Sequence, residues 1–508
     1  MRRSGVLMPI SALPSRYGIG DLGPEAVKFA EFLKSAGQSV WQVLPLTTVD
    51  GASGNSPYSP ASAFAGNPLL ISPEALFSAG LLERSDVDNA PAFPRGRVDY
   101  DLVREFSDDV LRRAWANFKA AVRNGGGAMK TDYDLFFSAN RYWLEPWSFF
   151  AAIKEKQGGK SWVKWPDDLK YRRNGALHAV WERDSDRVEY HRFVQFLFHR
   201  QMAELRECLD QFEIELVGDV PIYMTLDSAD VWANPQLFEL DADMAPTALA
   251  GVPPDYFSKT GQLWGNPLYR WSAMEAEGFR WWISRLRHML AYFDVLRLDH
   301  FRGLIGYWAV PAGETTAEKG CWRGVPHERF FERLCWEFPN HPFWAENLGI
   351  LTNDIETARR GMGLPGMLIL QFAFGDPSAN PYAPHNHTPD NVVYTGTHDN
   401  NTTRGWFEEE AEPKEVSNLI LYLGKEVNAG TICDDMTRMA MSSVADTCVI
   451  PMQDHLALGA ESRTNVPSTP SGNWEWRMTP GQATKVMASR LAALTKLYGR
   501  LPPARIKA

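Results

Sequence analysis

Apolar residues fall along this chain in two alternating rhythms: short compact runs with strand character, and longer stretches repeating every three to four residues. Val6–Ile10 is the first run, closed by SALPSRYGIGDLG, whose Gly and Pro residues favour turns. Gly23–Ala36 (GPEAVKFAEFLKSA) then places Val27, Phe29, Phe32 and Leu33 at helical spacing, with Pro24 at its start and Gly37 to stop it. Ser39–Leu46 (SVWQVLPL) follows as a strand, so the chain opens with a βαβ unit. Further strand-like runs are Glu213–Tyr223, the segments ending at Asp299 and Glu346, Gly366–Phe374, Val392–Thr397 and Thr447–Met452. Eight strands alternating with helical patterns predict an α/β fold, a (β/α)8 TIM barrel with helical and loop insertions over the C-terminal face of the strands. No GxGxxG or GxxxxGK[ST] follows any strand, which argues against a nucleotide-binding doubly wound sheet.

The alternation breaks once. Between Leu46 and Glu213 the chain is rich in aromatics and charges, with helical spacing around Asp101–Val122 and Tyr190–Phe212. Residues 72–186 are predicted to be an inserted, mainly helical subdomain above the active face. Residues 1–71 and 187–508 are then the catalytic barrel, with the Pro/Gly-punctuated stretch 251–267 (GVPPDYFSKTGQLWGNP) as an active-site loop.

Composition narrows the partners. The chain has 508 residues, 44 % of them hydrophobic, and a net charge of −10, so it buries a large core and offers no basic stripe for nucleic acid. The profile fits a small neutral ligand. Nineteen Trp are the outlying number, and flat aromatic faces stack on sugar rings; Trp406, Trp474 and Trp476 are candidates, whereas the tandem Trp281/Trp282 reads as helix packing. Five widely spaced Cys without a CxxC pair read as reduced thiols. The start, MRRSGVLMPISALPS, lacks a long apolar core, and no stretch approaches the ~20 apolar residues of a membrane span. The expected location is cytoplasmic, with no membrane partner; a mature plastid protein fits the same features.

Three acids end three strand-like runs: Asp299 in DVLRLDHFRG, Glu346 in FWAENLG and Asp399 in VVYTGTHDNN. A parallel barrel builds its active face at strand C-termini, and acids converging there supply a nucleophile, a proton donor and a charge stabiliser for glycosidic chemistry. Arg297, two residues before Asp299, shares its strand face and would hold it ionised; a purely structural ion pair is the other reading. Glu346 follows Phe343-Trp344-Ala345, whose apolar surroundings would keep it protonated as a general acid/base; a hydrogen-bonding Glu at a strand-to-loop junction is equally consistent. His398 and Asp399 lie in a Gly/Asn-rich turn, where gripping sugar hydroxyls competes with plain turn chemistry. Metal binding through His385-x-His387 is disfavoured because no HExxH-type spacing is present. Neither a metal nor another cofactor is expected.

The motifs together resemble the 4-α-glucanotransferases (amylomaltases, or disproportionating enzymes) of glycoside hydrolase family 77, in the α-amylase clan. The resemblance runs from SALPSRYGIGDLG and SVWQVLPL through NSPYSPASAFAGNP, GDVPIY, DSADVWANPQLF, GVPPDYFSKTGQLWGNP, RLDHFRG, AENLG and GTHDNN to NVPSTPSGNWEWR. It implies Asp299 as nucleophile, Glu346 as acid/base and Asp399 as the carboxylate gripping the distorted sugar. It also implies substrate contacts at Arg297, His398, Asp219, Ser56, Tyr58, Tyr256, Phe257 and Trp264. The implied reaction is retaining transfer of an α-1,4-glucan segment to the 4-hydroxyl of another glucan or glucose, with maltooligosaccharides and amylose as substrates. An α-amylase-type retaining hydrolase is the alternative.

Overall fold

The computed structural model describes residues 2–125, 127–254, 258–349, 352–469 and 471–502. Its centre is eight parallel strands: β1 Arg3–Leu7, β2 Val40–Gln42, β3 Glu215–Val220, β4 Val295–Leu298, β5 Phe343–Ala345, β6 Gly366–Ile369, β7 Asn391–Tyr394 and β8 Thr447–Pro451. Each neighbours the next in sequence, and β8 pairs with β1, so the sheet curls round on itself. The β5/β6 seam has no regular ladder. There the Ala345 N–H donates to the Pro365 carbonyl (2.9 Å), and the Met367 N–H donates to the Asn347 side-chain oxygen (2.7 Å). Gly5 allows the tight approach of β1 and β2: a Cβ there would lie 2.2 Å from the Val40 carbonyl oxygen.

All eight expected strands are present, most of them shorter than their apolar runs. β2 stops at Gln42, beyond which the Val43 N–H still donates to the Val217 carbonyl (2.9 Å), and β6 stops at Ile369, where the chain enters the 3₁₀ turn Leu370–Phe372. Helices fill the connections, among them Pro24–Ser35, Arg280–Leu290, His327–Glu337, Asn353–Gly361 and Lys485–Leu497. The β6-to-β7 connection departs from the alternation: it carries only the short 3₁₀ turns Leu370–Phe372 and Pro384–Asn386. Trp281 and Trp282 are buried in helix Arg280–Leu290, as the tandem pattern predicts.

The long β2-to-β3 excursion is helical. Tyr100–Arg123 starts where the Asp99 carboxylate accepts from the Leu102 N–H (3.1 Å), and Gly127–Lys156 follows. The last helix, Asn174–Phe212, is interrupted at Asp184 (φ −132°, ψ 22°) and then runs on into β3. The expected boundary at 186/187 lies close to this break.

At both ends of the stretch 251–267 the described residues form strands. Ala248–Val252 and Gln262–Pro267 pair antiparallel, and Gly306–Pro311 and Cys321–Gly324 extend them to a four-stranded sheet. Gly251 reads as a breaker but marks a close approach, since a Cβ there would meet the Gln262 carbonyl oxygen at 2.4 Å. Among the described residues, no helix is long and apolar enough to cross a membrane.

Candidate active site

Register assembles the centre of the site. Asp219 on β3 lies directly opposite Arg297 on β4, and side chains at paired positions of adjacent strands share a face. Arg297 Nη1 accordingly reaches both Asp219 oxygens at 2.8 Å, and Asp299 Oδ1 at 3.1 Å. The tighter partner of the guanidinium is thus Asp219, with Asp299 second. Tyr58, from the β2-to-β3 excursion, donates its hydroxyl to Asp219 Oδ2 (2.6 Å). Burial, reinforced by the Asp219 charge, pushes the Tyr58 phenol well up, so it stays a donor.

Asp299 and Glu346 each stand one residue past a strand end. The pair Leu298↔Ala345 closes the β4/β5 ladder, so these two acids occupy the next facing positions. Backbone bonds continue the strands past that point: Asp299 N–H to Val220 O (3.2 Å), Glu346 N–H to Leu298 O (3.0 Å) and Phe301 N–H to Glu346 O (3.0 Å). His300 between them is left-handed (φ 44°), a conformation that a non-glycine residue holds only when its surroundings enforce it. Its ring meets Trp264 edge-on at 4.8 Å.

The two acids form a coupled pair. Burial pushes Glu346 above the usual carboxylate range; the Arg297 charge opposes this and the Asp299 charge adds to it. Burial also raises Asp299, again against Arg297, with Asp219 and Asp399 adding to the push. Direct contact with the guanidinium makes Asp299 the member that ionises first. Both remain partly accessible to solvent: the Asp299 side chain is 23 % exposed. The upward push therefore strengthens once a ligand displaces water.

The third acid arrives differently. Asp399 stands five residues beyond β7 on an exposed turn, and its Oδ1 accepts from Asn465 Nδ2 (2.6 Å). The buried His398 ring stacks on Tyr58 (centroids 5.1 Å, 9°) and lies near Trp474 (6.0 Å). Its Nε2 is 3.4 Å from Asp399 Oδ2, while burial pulls its pKa down.

Geometry thus groups Asp219, Arg297, Asp299, Tyr58, His398 and Asp399, with Glu346 beside Asp299. The Ser56 hydroxyl accepts from the Tyr58 N–H (3.2 Å), shaping the turn that presents Tyr58. Trp264 is partly exposed and stands beside His300. Tyr256 and Phe257 lie outside the described residues. Of the tryptophans singled out in the sequence, Trp474 joins the site, and with Trp476 and Tyr100 it lines a small adjoining pocket. Trp406 is instead buried in a second apolar cluster. His387 uses both ring nitrogens, on Ser443 Oγ (2.7 Å) and the Tyr382 carbonyl (2.9 Å). Sequence reasoning missed Asn465, Arg463 and Asn347 as individual residues. Nothing local marks them, since their partners are distant in the chain.

Comparison with known proteins identifies the family. The sequence profile described as 4-alpha-glucanotransferase, glycoside hydrolase family 77, matches residues 8–484. A 4-alpha-glucanotransferase of Synechocystis is 46 % identical, covering 98 % of both chains. One of Aquifex aeolicus is 44 % identical over 98 % of this chain and 100 % of its own. Among solved structures, the amylomaltase of Streptococcus agalactiae in complex with acarbose superposes with a TM-score of 0.94 at 37 % identity. That match covers 99 % of this chain and 100 % of the other. This chain belongs to the 4-alpha-glucanotransferase family, glycoside hydrolase family 77.

Proposed function

We propose that this protein is a 4-α-glucanotransferase that moves α-1,4-glucan segments from a donor to the 4-hydroxyl of an acceptor glucan or glucose. The observation that carries the chemistry is the placement of Asp299 and Glu346 at successive facing positions past β4 and β5. Neighbouring strands lie about 4.8 Å apart, which supports a retaining pair, whose carboxyls stand about 5–5.5 Å apart. An inverting pair needs a wider gap to hold a water.

In this reading Glu346, held protonated by burial, gives its proton to the leaving oxygen as the α-1,4 bond breaks. Asp299, ionised beside Arg297, attacks the anomeric carbon and forms a covalent β-glycosyl–enzyme. Glu346, now a carboxylate, takes the proton from the acceptor 4-hydroxyl, which displaces Asp299 and restores the α configuration. Asp399 and His398 hold hydroxyls of the distorted donor sugar. Tyr58 and Asp219 keep Arg297 oriented at the nucleophile, and Ser56, Trp264, Tyr256 and Phe257 complete the glucan contacts. Acceptor rather than water completes the cycle, and the hairpin bearing Trp264 and the helical insertion at 72–186 supply the shielding. Family membership supports transfer over the amylase-type hydrolysis that the same acids would equally perform. Maltooligosaccharides and amylose are the proposed substrates, in a soluble compartment.

Maltotriose tests this directly. The expected result is glucose plus a ladder of longer maltooligosaccharides with little gain in reducing ends, abolished in D299N. Steadily rising reducing ends without a ladder would overturn transfer in favour of hydrolysis.

A further inference from the structure

Asp399 is the acid of the site that stands farthest from its strand, five residues beyond β7. Its turn is curved by local bonds: Asn400 Oδ1 accepts from the Thr397 N–H and hydroxyl (2.9 Å each), and Thr397 Oγ1 accepts from the Asp399 N–H (3.3 Å). Such bonds set the shape of the turn but not its position over the cleft. Position comes from a segment more than sixty residues away. The Asn465 N–H donates to the His398 carbonyl (3.2 Å), and Arg463 Nη2 donates to the Asp399 carbonyl (2.8 Å). Arg463 Nε donates to the Asn465 carbonyl (2.8 Å), so the same guanidinium fixes the residue whose amide holds the Asp399 carboxylate. Arg463 Nη1 donates to Glu410 Oε1 (2.8 Å), which also accepts from Asn401 Nδ2 (2.9 Å) at the far end of the turn. Glu410 itself ends the wide π turn Trp406–Glu410, closed by the Ala411 N–H on the Trp406 carbonyl (2.7 Å). Single π turns occur disproportionately at functional sites because they re-aim a side chain.

We propose that Arg463, held by Glu410, is the positioning residue that sets where the Asp399 carboxylate stands over the donor sugar. The inference rests on the reading of Asp399 as the carboxylate that grips that sugar. Three of the guanidinium's directed donors are used on three partners, a geometry that a lysine ammonium does not reproduce. Glu410 is partly exposed, so the clamp works by directing hydrogen bonds rather than by burying a strong ion pair. A displacement of about 1 Å in a group that acts in the transition state costs up to about 10²-fold in rate.

The test compares R463M, E410A, E410Q and D399A, with R463M/D399A as the double variant, on maltotriose. R463M is expected to lower kcat about 10- to 100-fold with KM nearly unchanged, because the lost contact matures in the transition state. In the D399A background the same change should add nothing, since the clamp then has no carboxylate to place. E410Q keeps the accepting oxygen and should recover most of what E410A loses. R463M within twofold of wild type, or a full additional loss in the double variant, would overturn the inference and leave the function standing. Should R463M not fold, equal kcat in E410A and E410Q overturns it. D399A with wild-type kcat would instead remove the reading of Asp399, and this inference with it.

Discussion

The two ends of the barrel are each organised around a buried arginine, and they differ in what the guanidinium binds. At the floor, Arg500 follows the last helix and donates only to carbonyls. Nε takes Met441 O (2.7 Å), Nη1 takes Arg3 O (3.0 Å), and Nη2 takes Ser443 O (2.8 Å) and Ala445 O (3.0 Å). At the mouth, Arg297 faces the carboxylates of Asp219 and Asp299. Carbonyls do not titrate and cannot leave, so the floor clamp is a structural tie between the chain's first strand, the Ile432–Ser442 helix end and its C-terminal segment. Carboxylates carry charge that shifts with ligand and pH, so the mouth cluster couples structure to chemistry. This matches the general division of a barrel, stability at the bottom face and catalysis at the top.

The largest expected effect breaks the mouth. Arg297→Met leaves Asp219 buried without its cation, costing about 3–5 kcal/mol of stability, and lowers kcat by about 10²- to 10³-fold. Chemical denaturation and maltotriose turnover would check both, and a loss confined to stability would make Arg297 a structural ion-pair partner only.

Breaking the floor should separate the two properties. Arg500→Met strands several buried carbonyls at about 1–3 kcal/mol each before relaxation, so the unfolding midpoint should fall while kcat/KM measured below it stays within about twofold. A parallel loss of kcat/KM would show that the two ends are coupled.

The mildest probe is pH. The working form needs Asp299 ionised and Glu346 protonated, so kcat/KM should rise through the first titration of the pair and fall through the second. Burial raises both carboxyls, so both limbs should lie above the ordinary carboxylate range. Glu346→Gln should remove the alkaline limb from whatever activity survives. An alkaline limb unchanged in that variant would assign it to another group.

How much of this was legible in the sequence follows from the range of each interaction. Strand-forming runs are local, so all eight strands could be read, with Asp299 and Glu346 at their ends. The length of each strand could not: SVWQVLPL is mostly apolar and reads as one run, yet only Val40–Gln42 finds ladder partners. The helix missing between β6 and β7, and the paired hairpin where glycines suggested a loop, were also invisible, because a glycine gives the same local signal for a break and for a close approach.

The acids show the same division. Sequence alone determined the barrel class, the strand ends at which Asp299 and Glu346 stand and, through resemblance, the family, because these rest on patterns contained in single segments. Tertiary structure decided that Arg297 binds Asp219 more closely than Asp299, that Asn347 bridges the barrel seam, and that Arg463 and Asn465 hold Asp399. Those contacts join positions from 20 to more than 70 residues apart. The physical reason is that a hydrogen bond is specified by both partners' coordinates, and a single segment carries only one of them.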